Sequence, residues 1–362
     1  MALPLLTGHR ELRARLAGAV RADRLSQVLL LTGGLGVGKQ RLALWLAQSI
    51  LCQTTGDEPC GSCRACKLVG TLSHPDLHWF VPVPRSKASD PDKQVEEVGQ
   101  ALAQVLEERR AQPLYGEVDG MASHSLATVR LLQRRAALTS VEGGPRVFII
   151  GDADRLVAQE ASPEAANALL KLLEEPPNRS YFLLTTVEPR RLLPTIRSRA
   201  VTFRLGRLTD AEVREFLAEH LRPQPAAQEL NDRVAFADGS IGRALGARED
   251  AGRAREAAAQ LLESVLANPA AAYERALRQP PWSARGEFTA MLDALAELLG
   301  DAARSASGQE PRHEIPVALR PRSPAALVQA LEKVADAREA AWGNVNPQLL
   351  LAVLGNELAE VL

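Results

Sequence analysis

The sequence predicts an α/β fold with a largely parallel sheet, followed by helical segments alone, and three observations carry that reading. Short apolar, β-rich runs lie at residues 28–33, 146–151 and 181–187, with a weaker one at 201–205. Helical patterns separate the strong runs, which is the rhythm of parallel strands joined by crossover helices. After Leu208 no further β-rich run stands out.

At 362 residues the chain is too long for one small core and fits two or three domains. Its formal charge of −1 argues against a zinc-containing protein that grips nucleic acid alone by neutralising phosphates, since such proteins are usually more basic. The first residues, MALPLLTGHRELRARLAGAV, are apolar at the start. Arg10, Glu11, Arg13 and Arg15 interrupt them at once, so neither a signal peptide nor a membrane span is expected. All four cysteines fall between Cys52 and Cys66, poor usage for an extracellular disulfide scaffold, so a cytoplasmic location is expected.

The run at 28–33 ends in GGLGVGKQ, which fits the phosphate-cradling pattern G-x-x-x-x-G-K. Gly33, Gly36 and Gly38 let backbone N–H groups converge at the mouth of a helix, and Lys39 brings an ammonium to the same place. Position 40 departs from the pattern. A magnesium–nucleotide site takes a hydroxyl there, and Gln40 has an amide. Nucleotide can still bind through the backbone and Lys39, whereas hydrolysis is expected to be poor.

The helix predicted after this loop carries Leu42, Leu44, Leu46 and Ile50 at imperfect helical spacing. It leads into Cys52, Cys60, Cys63 and Cys66, spaced C-x7-C-x2-C-x2-C. Two-residue gaps let neighbouring thiolates meet one tetrahedral ion, and four thiolates leave no open position, so structural zinc is expected. Free buried thiols and an iron–sulfur site are the other readings of the set. His74 and His78 follow closely but are expected to pack or hydrogen-bond, since four sulfurs already complete a shell. Residues 82–94, PVPRSKASDPDKQ, read as an exposed loop.

In the run RVFIIGDADRL the strand tip should present an Asp–Glu pair for metal and water. In one register Gly151 takes the Asp position and Asp152 the Glu position. In the other Asp152 is the metal-organising acid and Ala153 the missing base. Either leaves one role empty. Residues 165–174 read as a helix ended by Pro176 and Pro177, with Glu174 and Glu175 as surface or terminal contacts. Thr209 is a predicted N-cap for the helix that follows.

The ordered segments GGLGVGK, the four-cysteine module, HPD at 74–76, EGGPRVFIIGDADRL, NALLKLLEEPP at 167–177 and FLLTTVEPRRLLPTIRSRA at 182–200 resemble bacterial clamp loaders of the AAA+ class, in their delta-prime branch. The match is clear over most of residues 1–246 and looser beyond, where NVNPQLLL at 344–351 carries it. The resemblance implies an AAA+ nucleotide-binding-like core at 1–207 with the zinc module at 52–66, a small helical lid at 208–246 and a helical collar at 247–362 for oligomerisation. It implies a non-motor subunit that donates an arginine, Arg199 with Arg197 as the rival, to the ATP site of a neighbour. The alternative is an ATP-hydrolysing gamma/tau-type motor subunit of the same machine. It further implies that Thr186 sits at a phosphate-sensing strand end and that Arg243 takes the place of a lid arginine, one residue late. Ala200 stands where the family has Cys, and the connection at 159–166 is longer than usual. The implied partners are gamma/tau-like and delta-like subunits in a hetero-pentamer, the sliding clamp and primed DNA, with ATP or ADP binding possible.

Overall fold

The computed structural model describes residues 6–54, 56–114, 122–157, 164–246, 248–280, 286–311, 314–341 and 345–362. Most of the long connection at 159–166, and Asn344 of the C-terminal motif, lie outside the described residues. The chain divides into two units, 1–245 and 246–362.

In the first unit, β1 (Val28–Thr32), β2 (Leu77–Phe80), β3 (Arg146–Ile150), β4 (Ser180–Thr186) and β5 (Val201–Arg204) form one sheet in the order β2-β3-β4-β1-β5, every pairing parallel. Every residue of β1 and β3 is buried, as expected for central parallel strands made of Val, Leu and Ile. At the edge, β5 is mostly exposed, which accounts for its weak apolar pattern. The register sets Thr32 opposite Thr186, so the loop after β1 and the tip of β4 are neighbours.

Helix α1 (Arg10–Arg21) packs on α2 (Lys39–Leu51), and α2 lies against β1, β3 and β4. Leu42, Ala43, Leu44, Trp45, Leu46 and Ala47 are all buried, so α2 is apolar around most of its circumference and shows no clean stripe. It leads through the cysteines into α3 (Arg64–Gly70).

Two features depart from the sequence reading. Strand β2, LHWF, was not foreseen. It is four residues long, and His78 breaks its apolar run. The loop expected at 82–94 is a loop only as far as Asp90. Pro82 and Val83 are buried, and residues 91–94 begin α4 (Pro91–Ala111). Asp90 accepts from the backbone N–H groups of Asp92 and Lys93 while Pro91 opens the helix, an N-cap followed by proline at N1.

Helix α5 (Leu126–Ala137) packs between α4 and α6 (Glu164–Glu174), and the short α7 (Pro194–Arg197) lies against α6. Beyond β5, α8 (Asp210–His220), α9 (Ala227–Ala237) and α10 (Ile241–Leu245) enclose a small core of Leu208, Val213, Phe216, Leu217, Val234, Ala237 and Ala244. Thr209 caps α8 in a reciprocal capping box with Glu212.

The second unit consists of α11 (Arg248–Ala267), α12 (Pro269–Leu277), α13 (Glu287–Ala306), α14 (Pro324–Ala341) and α15 (Pro347–Val361) around Leu261, Leu292, Leu295, Leu327, Val334, Leu351 and Leu354. Asn346 caps α15 ahead of Pro347. Among the described residues no helix is long and apolar enough to cross a membrane.

Candidate functional site

The glycine loop joins β1 to α2. Gly36 and Gly38 have φ of 69° and 99°, in the left-handed region that side chains rarely adopt. Lys39 is buried and turned back, its Nζ donating to the carbonyls of Gly33 at 3.0 Å and Gly34 at 2.7 Å. Two segments rest on the loop. His9 donates from Nε2 to the Val37 carbonyl at 2.8 Å. From the other side Ser240 donates to the Leu35 carbonyl at 2.8 Å, and the Gly242 amide to the Gly36 carbonyl at 3.0 Å.

Gln40 does not face an open space. Its Nε2 donates to Asp152 Oδ2 at 3.0 Å, and its Oε1 accepts from Arg109 Nη1 at 3.3 Å. Arg109 is buried near the end of α4, its guanidinium 4.3 Å from the centre of the Trp79 ring. A Cβ at Gly151 would lie 3.1–3.3 Å from the Gln40 amide atoms. A side chain at 151 would therefore need that amide to shift by a few tenths of an ångström. Asp152, at φ 50°, donates its N–H to Thr185 Oγ1 at 3.0 Å.

The hydroxyl of Thr186, which the resemblance left without a task if no triphosphate is present, has one inside the fold. It donates to Asp154 at 2.6 Å, and both residues are buried. Arg243 lies on α10 with its guanidinium 5.1 Å from the centre of the Phe236 ring. Thus Gln40 and Asp152 meet directly and Lys39 stays with Gly33. Thr186 and Arg243 are held by other partners.

Arg199 follows α7. Its Nη1 donates to the Thr195 carbonyl at 2.9 Å and its Nη2 to Glu174 Oε1 at 2.5 Å. Arg197 is exposed, and no side-chain partner for it is found among the described residues.

The sulfurs of Cys52, Cys60, Cys63 and Cys66 all lie within 4.8 Å of one another. A tetrahedral ion with sulfurs at about 2.3 Å needs them roughly 3.8 Å apart, and Cys60 and Cys66 stand at 3.9 Å. The donor set therefore fits a tetrathiolate metal ion. Backbone N–H groups already point at these sulfurs, from Cys63 to Cys60 at 3.3 Å and from Cys66 to Cys63 at 3.4 Å. The amide of Cys63 and other donors around Cys60 hold its thiol down to about 5, in favour of the thiolate that binds metal. Burial pushes the Cys66 thiol up.

The cysteine module is tied to α2 by Trp45, which donates to Glu58 at 2.7 Å, and by Gln48, which donates to the Cys66 carbonyl at 3.0 Å. His74 lies outside the sulfur cluster and accepts from the Asp76 N–H at 3.1 Å, while His78 stacks on Phe148 with ring centres 4.9 Å apart. Both do the packing and hydrogen-bonding work expected of them. Asp76 is buried and receives Ser140 Oγ, Val141 N and Glu142 N at 2.8–3.0 Å, so it shapes the turn before β3.

Sequence reasoning missed Arg109, Ser240, Gly242 and the pairing role of Glu174. The small residues of GSIG were the one visible sign that a backbone comes close there.

The family profile described as "DNA polymerase III, delta subunit" matches residues 8–209. The chain is 33% identical over 204 residues to the DNA polymerase III subunit delta' of Bacillus subtilis, covering 56% of this chain and 49% of that protein. To the subunit delta' of Pseudomonas aeruginosa it is 32% identical over 238 residues, covering 65% and 59%. To the DNA polymerase III subunit tau of Salmonella typhimurium it is 28% identical over 252 residues, covering 68% and 32%. The chain spans about half the length of the delta' relatives it matches.

Proposed function

Because the chain belongs to the DNA polymerase III delta subunit family of bacterial clamp-loader proteins, we propose that it is the non-motor, arginine-donating subunit of a DNA sliding-clamp loader. The observation that carries this is the Arg109–Gln40–Asp152 chain of hydrogen bonds. In it Gln40 stands at the position where the phosphate-loop pattern takes a hydroxyl and Asp152 at one position of the expected acidic pair, and Gly151 supplies no acid beside them. An amide oxygen bonded to a guanidinium and an amide N–H bonded to a carboxylate leave no hydroxyl for a magnesium shell.

In this reading residues 1–207 are an AAA+-like core, 208–246 a helical lid and 247–362 a collar that joins gamma/tau-like and delta-like subunits in a hetero-pentamer. That assembly acts on the clamp and on primed DNA. Arg199 is presented to the ATP site of a neighbour, where a guanidinium offsets charge on the terminal phosphate. The cysteine cluster holds zinc, which fixes the module at 52–66 and takes no part in chemistry.

A second reading, a gamma/tau-type motor, draws on the intact Gly33, Gly36, Gly38 and Lys39 and on the identity to a tau subunit. One experiment separates the two. ATP hydrolysis is measured for the chain alone, for an ATPase partner of the same clamp loader, and for their complex with wild-type chain or Arg199→Ala. The proposal expects an inert isolated chain and a complex whose turnover falls several-fold without Arg199. Hydrolysis by the isolated chain that is lost on Lys39→Ala would establish the motor. Calorimetry with ATP and ADP tests whether nucleotide binds as a structural plug, and no heat at millimolar ligand would remove that role.

A further inference from the structure

Resting on the reading of Arg199 as the residue shown to a neighbouring subunit, we infer that Glu174 is its positioning residue, biasing the orientation of the guanidinium while leaving donors for a phosphate.

Glu174 is the last residue of α6, at an anchored helix end. Leu169 and Leu173 beside it are buried, Glu175 N closes the last turn onto the Lys171 carbonyl at 3.2 Å, and two prolines follow. A carboxylate at this end of a helix opposes the helix dipole, so the helix itself gains nothing from it. Its partner is elsewhere in the chain. Glu174 Oε1 lies 2.5 Å from Arg199 Nη2, across 25 residues of sequence.

A guanidinium has five N–H donors in one plane. Here Thr195 takes one on Nη1 and Glu174 one on Nη2, from two elements, and two anchors favour one plane. Among the described residues three donors remain without a partner, on a side chain that is 33% exposed. A phosphate arriving from a neighbour can use them without breaking the Glu174 contact. The pair is too exposed to store much energy, so the carboxylate guides the arginine without locking it. Arg197 has no such side-chain partner among the described residues.

The test uses the reconstituted complex with its ATPase partner and reads kcat and KM for ATP in Glu174→Ala, Glu174→Gln, Arg199→Ala and the double variant Glu174→Ala/Arg199→Ala. Loss of an exposed orienting partner of this kind costs roughly two- to fivefold. The expected result is that order of loss in kcat for Glu174→Ala, with KM little changed. Glu174→Gln should recover most of it, since its amide oxygen still accepts from Nη2. The double variant should be no worse than Arg199→Ala.

A Glu174→Ala complex with normal kcat beside an impaired Arg199→Ala complex overturns the positioning role and leaves the arginine reading standing. A Glu174→Ala deficit that persists in full on top of Arg199→Ala also overturns it, because the carboxylate then acts through packing. An unimpaired Arg199→Ala complex brings down both. Thermal unfolding of each variant checks the fold. Should Glu174→Ala not fold, Glu174→Asp, one methylene short of the contact, is expected to lose kcat in the same way.

Discussion

Gly36 and Gly242 meet backbone to backbone: a Cβ on Gly36 would lie 2.8 Å from the Gly242 Cα, and a Cβ on Gly242 would lie 2.6 Å from the Gly36 Cα. Real side chains do not tolerate such separations, so both positions are restricted to glycine while α10 rests on the loop. The Gly242 N–H and the Ser240 hydroxyl use the resulting closeness.

Replacing Gly242 with valine should therefore separate α10 from the glycine loop or strain both, at about 1–3 kcal/mol. The check is a lower urea midpoint for the first unit. Gly206→Val, in the same unit at a site where an added Cβ meets nothing within 4 Å, serves as the comparison. An unchanged midpoint for Gly242→Val would mean the contact does not hold in solution.

Gln40→Ala takes away the amide between Arg109 and Asp152, and should cost about 1–3 kcal/mol for the buried groups it leaves short of a partner. Gln40→Thr brings back a hydroxyl, yet magnesium-dependent hydrolysis by the isolated chain should stay at background, because Gly151 still offers no carboxylate. Measurable turnover by Gln40→Thr alone would contradict that account.

A pH effect follows from His78, held down to about 4 chiefly by burial and secondarily by the charge of Arg135. An unfolded chain takes up this proton below about 6.5, and the folded chain refuses it until about 4. Stability is therefore complete above pH 6.5 and falls as pH drops from 6.5 to 4, with His78 contributing at most about 3 kcal/mol. His74 and His124, also lowered by burial, act in the same direction. Urea midpoints at pH 7 and pH 5 should differ less in His78→Phe, which can still stack on Phe148. Equal pH sensitivity in the variant would exclude His78 as a contributor.

Elemental analysis should find one zinc per chain, absent from Cys60→Ser, and the protein should be colourless. Chelation should loosen the module at 52–66, detected as faster amide exchange there, because metal affinity supplies order that so few apolar residues cannot. A brown protein containing iron would revive the iron–sulfur reading.

What the sequence made legible was local. The fully buried β1 and β3, the helix ended by Pro176 and Pro177, the Thr209 cap and the cysteine spacing are each encoded within about ten residues. Strand β2 was hidden because four residues with a histidine among them carry no period. Helix α4 was hidden because its buried positions, Val95, Val98, Leu102 and Arg109, are sparse in a polar segment, although Asp90–Pro91 marked its start. The contacts that decide the site span long stretches of chain: Gln40 with Arg109, Glu174 with Arg199, Leu35 with Ser240. No window of sequence contains both ends of these pairs.

The Arg109–Gln40–Asp152 chain also bears on the history of the protein. Each member now holds the others, so a mutation restoring one hydrolytic residue takes away a partner from its neighbours before any chemistry is regained. An aspartate at 151 asks the Gln40 amide to give way by a few tenths of an ångström, and a change at Gln40 takes a partner from Asp152. On the non-motor reading, a return to hydrolysis asks for changes at both 40 and 151, and the first of them alone gives up contacts before any chemistry is gained.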